Sequence, residues 1–135
     1  MASLRRRFAC GLVCVLLAAA IEPAFASDVF PFGRELILDA APMRGSKRIP
    51  ILEIGENGAA SINLWCASAR GQANVSADSI TIVTEPVEPA QCAPERQSRD
   101  ESLLAALTQV TNWRRHGDTI EFLGATNLRF RLMNN

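Results

Sequence analysis

The sequence predicts an α+β fold: a small antiparallel sheet of about six strands, curved or closing into a partial barrel, with one amphipathic helix in the C-terminal half. Two observations carry this reading. Short runs of alternating apolar and polar residues recur along the chain, separated by glycines, asparagines and prolines that favour turns. A single late stretch has helical periodicity instead.

Asp28–Phe32 (DVFPF) has two readings, an ordered arm packed on the body or merely the start of the exported chain. Glu35–Ala40 reads as a first strand, APMRGSKR as a loop, and Ile49–Ile54 as a second strand whose Pro50 marks an edge or a strand start. The GENG segment at Gly55–Gly58 tolerates positive φ and makes a hairpin with Ala60–Cys66. There Ile62, Leu64 and Cys66 alternate with Ser61, Asn63 and Trp65, so one face is core and the other carries Trp65. A polar stretch, Ala67–Ser79, precedes another strand, in which Ile80 and Ile82 alternate with Thr81 and Val83. Glu85–Gln97, rich in proline and charge, is a surface connection.

Ser98 and Glu101 form an S-x-x-E capping box, which places the helix start near Arg99. Leu103, Leu104, Leu107 and Val110 then follow at helical spacing, and Trp113 closes the contact with the sheet. Gly117, after Arg114, Arg115 and His116, can take the left-handed conformation that ends a helix or turns the chain, and is the stop signal. Ile120 and Phe122 make one further strand and Leu128, Phe130 and Leu132 another, linked as a hairpin by GATN.

The N-terminus has a different pattern. Arg5, Arg6 and Arg7 precede an apolar run from Phe8 to Ile21, and Ala24-Phe25-Ala26 supplies an A-x-A ending. This is the composition of a secretory signal peptide, with cleavage expected after Ala26 and one domain over residues 27–135. The run falls short of the roughly 20 residues that span a bilayer, so no retained transmembrane helix is expected. Cys10 and Cys14 do not fit the setting of a lipid-modified cysteine. Losing the leader turns 14 basic and 14 acidic residues into 11 and 13, which offers nucleic acid no broad attraction. The two remaining cysteines, Cys66 and Cys92, are expected to pair as a disulfide in an oxidising compartment.

A search for chemistry finds none: no G-x-S-x-G, no CxxC, no P-loop and no G-x-G-x-x-G. His116 reads as a turn residue, and Glu85, Glu88 and Glu95 as solvated loop charges. No catalytic residue, cofactor or metal is therefore expected. Two small basic groups, Arg44-Lys47-Arg48 and Arg114-Arg115, suit either an anionic lipid surface or plain solvation. Trp65 is the candidate binding residue, as an exposed aromatic anchor. Its default alternative is a core residue, if the curved sheet covers both faces.

From Cys92 to Leu132 the order of cysteine, helix, tryptophan, Gly-Asp turn and hairpin resembles the META domain family, which includes HslJ-like heat-shock-related proteins of bacterial envelopes. Around the first cysteine this chain departs from the family's Gly-Cys-Asn and has Trp65-Cys66-Ala67. The resemblance implies a small exported α+β domain, envelope stress as a theme, and no catalytic residues to carry over. The expected function is a non-enzymatic, monomeric binding or structural module in the periplasm or outside the cell, with an envelope protein or the membrane surface as partner. The alternative is a periplasmic inhibitor of a protease or lysozyme. A protruding arm at Asp28–Phe32 would favour the inhibitor, and an apolar patch around Trp65 the docking module.

Overall fold

Eight strands, rather than about six, close into a complete antiparallel barrel, so the expectation of an open or partial sheet is corrected. The computed structural model describes residues 28–87 and 91–134; the expected leader and its expected cleavage site lie outside them. The strands are β1 (Leu36–Leu38), β2 (Ile51–Ile54), β3 (Ala59–Asn63), β4 (Ser68–Ser76), β5 (Ser79–Thr84), β6 (Val110–His116), β7 (Thr119–Gly124) and β8 (Leu128–Leu132). Each pairs with the next, and β1 closes the ring on β8 through Leu36↔Leu132, Ile37↔Arg131 and Leu38↔Phe130. Closure removes the free edges that an open six-strand sheet would leave.

The two strands absent from the sequence reading are β4 and β6, and each has a physical reason. β4 turns Ala69, Gly71, Ala73 and Val75 inward, residues too small to register as an apolar alternation. The smallness is required: a Cβ on Gly71 would lie 2.2 Å from the carbonyl oxygen of Val83 on β5. β6 breaks the two-residue period with a bulge between Val110 and Asn112. Both Val110 and Trp113 are consequently buried although three apart, a spacing that imitates a helix.

The helix α1 spans Pro94–Thr108, earlier at both ends than the capping box and Gly117 implied. Pro94 sits in the first turn, where a missing N–H costs nothing, and Glu95 lies beside it at the positive end of the helix dipole. Ser98 is inside the helix and caps nothing; its carbonyl accepts from Ser102 Oγ at 2.8 Å. Gly117, at φ +61°, turns β6 into β7, the second of the two roles its position offered.

α1 forms the β5–β6 connection and packs along β5, beside the ladder with the fewest paired residues. The β5–β6 register consists of Ser79↔Asn112, supplemented by the Trp113 amide donating to the Asp78 carbonyl at 2.9 Å. The helix turns Asp100, Leu103, Ala106 and Leu107 inward. At the other end the arm before β1 enters the barrel. Phe30 is 5% exposed and meets Trp113 edge-on at 5.0 Å, Phe32 at 4.9 Å and Phe122 at 6.4 Å. The space between these closures is filled by Leu36, Leu52, Ile54, Ile62, Ile80, Ile82, Ile120, Phe122 and Phe130.

Outside the barrel, Glu121 on β7 receives Arg114 from β6 and Arg129 from β8, the latter at 3.1 Å. The hydrogen bond from Arg114, reinforced by that from Arg129, holds its carboxyl below the ordinary 4.5. A carboxyl depressed by folding stabilises the native state above its unfolded value, and that contribution is lost as pH falls through the folded value. The Tm difference between wild type and Glu121→Gln is expected to be small and constant near neutrality, and to vanish as the pH is lowered from 4.5. A thermal-unfolding series across that range measures it.

A clamped helix and a groove at one barrel end

β3 ends at Asn63, and the next four residues turn the chain, with the Leu64 amide donating to the Ala67 carbonyl at 2.9 Å. Strand alternation therefore stops before Trp65. Both Leu64 and Trp65 point into the core, so Trp65, at 7% exposure, is no protruding anchor. Its buried indole N–H has no hydrogen-bond partner among the described residues, nor has that of Trp113.

The same turn is held by the least expected residue of the molecule. Asp100, on the inward face of α1 and 5% exposed, accepts from three successive backbone amides. Its Oδ1 lies 2.9 Å from the Trp65 nitrogen; its Oδ2 lies 3.1 Å from that of Cys66 and 2.8 Å from that of Ala67. Three convergent donors compensate the burial of a charge that would otherwise be costly. The carboxylate thereby pins the helix to the end of β3. A signal for it existed in the sequence: Asp100, Leu103 and Leu107 share one helical stripe, and a carboxylate on an apolar stripe needs donors from elsewhere.

Cys66 and Cys92 form a disulfide beside this clamp, with Cα atoms 6.0 Å apart. It ties the segment entering α1 to the turn that Asp100 holds, and Arg48 adds a hydrogen bond to the Cys66 carbonyl at 3.1 Å. Closing 26 residues of chain is worth about 3 kcal/mol in the loop-entropy account. Cys66→Ala/Cys92→Ala is accordingly expected to unfold in urea with about 3 kcal/mol less stability than the oxidised protein. Equilibrium unfolding with and without a reductant measures this, since reduction should lower the wild type to the double variant's level.

Above the clamp lies an open groove of about 690 Å³ between α1, the β1–β2 loop and the β7–β8 turn. Its apolar surface includes Leu38, Met43, Trp65, Leu103 and Leu128; its polar surface includes Arg44, Glu95, Arg99, Asn127 and Arg129. Trp65 thus belongs to a recess instead of an exposed patch.

The remaining sequence candidates do not converge. Glu85 and His116 are exposed on separate strand ends, Glu95 lies on the groove rim, and Glu88 lies outside the described residues. Among the described residues no group of three or more His, Cys, Asp or Glu side chains is arranged to hold a metal. No described helix is long and apolar enough to cross a membrane.

The comparisons with known proteins agree with the barrel. The META domain family model matches residues 34–134, most of the chain. No curated protein matches it. A protein structure solved by NMR superposes with a TM-score of 0.59 at 16% identity, over 73% of this chain and 88% of that one, and so shares the fold. With its helix-capped barrel and a match from Arg34 to Asn134, the chain belongs to the META domain family.

Proposed function

We propose that the protein is an exported, non-enzymatic binding module of the bacterial envelope, and that it works as a monomer through the groove beside α1. The observation that carries this is the filled barrel: apolar side chains occupy its interior, α1 covers one end and Phe30 the other. Binding then falls to the outer surface, where the groove combines apolar floor with charged rim. The N-terminal arginines, apolar run and A-x-A ending support export, and the Cys66–Cys92 bond suits an oxidising compartment. A stress-related role accords with the family's HslJ-like members. The inhibitor reading looked for a protruding arm, whereas Asp28–Phe32 is folded onto the barrel.

A photo-crosslinking side chain at Ser102, on the groove, tests the site against one at Ser61, on the outer face of β3. Ultraviolet exposure of intact cells should give adducts from position 102 and none from position 61. The same purified protein should have an intact mass beginning at Ser27 and thiols that label after reduction. Adducts from both positions, or from neither, would remove the groove from consideration.

A further inference from the structure

We propose that the groove binds an extended peptide segment of a partner protein, with acidic residues flanking a large apolar one. This rests on the groove being the binding surface. Its floor, formed by Trp65 with Leu38, Leu103 and Leu128, suits an apolar side chain. The rim defines the rest of the occupant. Arg129 is engaged by Glu121, and Asp39 by Arg131 at 3.7 Å. The guanidinium groups of Arg44, on the β1–β2 loop, and Arg99, on α1, have neither an ion pair nor a hydrogen bond to any described residue.

Two uncommitted guanidinium groups thus face the groove from opposite walls in a domain whose exported form carries more acids than bases. Planar donor forks on both sides match carboxylates two-pronged, which point charges would not. The groove is open to solvent, and a small molecule lying in it would keep much of its surface in water. A chain segment loses less, because its backbone remains solvated while alternate side chains take the floor and the rim. A flat anionic membrane fits less well. Glu95 lies on the same rim and would face the lipid phosphates. A peptide can set its acids against the arginines and away from Glu95.

The test is a selection of random phage-displayed peptides on the oxidised protein, followed by titration of fluorescently labelled peptides from the enriched pool. Enriched sequences should carry Asp or Glu on both sides of a large apolar residue. Arg44→Glu/Arg99→Glu should raise the Kd about tenfold or more, as removing and reversing rim charges does, with an unchanged circular dichroism spectrum. Peptides with lysine in place of the acids should bind that variant better than the wild type. Enriched peptides without acids, or affinity indifferent to the double reversal, overturn the proposal. So does sedimentation with phosphatidylglycerol vesicles that depends on Arg44 and Arg99 when no peptide is enriched. If Ser102 crosslinks persist in any of those cases, the groove stands and this occupant falls; if they are absent, the groove itself falls.

Discussion

Asp100→Ala should lower the unfolding free energy by about 4 kcal/mol, a large share of what holds a domain of this size together. The truncation leaves the amides of Trp65, Cys66 and Ala67 without their acceptor. Trp65 is buried, and its amide cannot recover the bond from water; Cys66 and Ala67 are half-exposed and recover part of theirs. Asp100→Asn keeps the shape and one acceptor oxygen, but sets an amide N–H₂ against a backbone donor, and should cost about half as much. Urea unfolding measures both. Hydrogen exchange at residues 65–67 separates the clamp from generic destabilisation, because these amides should lose protection before those of β7 and β8. Uniform loss across the barrel would mean that Asp100 contributes no local anchoring. The variant also bears on function, since the helix that Asp100 pins supplies one wall of the groove.

What the sequence made legible divides along a physical line. Strands with large side chains on one face, such as β5 with Ile80 and Ile82 or β8 with Phe130 and Leu132, announce themselves through alternation. β4 is invisible to the same test because the crowded barrel wall at Gly71 excludes a side chain. β6 is worse than invisible: its bulge places Val110 and Trp113 on one face at a helical spacing, and thus extends α1 falsely by two turns. Two lost strands are the difference between a partial sheet and a closed barrel. At the site, the Cys66–Cys92 bond follows from compartment and count, because those are properties of composition. The fate of Trp65 does not, since alternation predicts a direction only while the strand lasts, and β3 stops two residues earlier. The stripe that Asp100 shares with Leu103 and Leu107 signals a carboxylate in need of donors, but those donors lie more than thirty residues away, where no local pattern identifies them.

Phe30→Ala should be comparably damaging, at about 4 kcal/mol, although it removes a residue from an arm that lies ahead of the family match at Arg34. The phenyl ring closes the barrel end opposite α1. It lies edge-on to Trp113 at 5.0 Å, with Phe122 at 6.4 Å behind it, and Phe122 in turn lies 5.4 Å from Phe130. Its removal opens a cavity that the barrel cannot collapse to fill, since the surrounding strands are fixed by the closed ladder. The backbone around it is held independently, by Gly33 donating to the Ile54 carbonyl at 2.8 Å and by Arg115 donating to the Val29 carbonyl at 3.3 Å. The arm should therefore stay in place in the variant, and the loss should come from packing alone. Phe30→Leu, which refills most of the volume, should recover more than half of it. Near-ultraviolet circular dichroism provides the local readout, because Trp113 loses its aromatic neighbour in both variants. Peptide binding at the groove should be unchanged below the unfolding transition, with the plug and the groove at opposite ends of the barrel. An arm deletion no more harmful than a surface substitution would show instead that the barrel ends at β1 and that Phe30 is ornament to it.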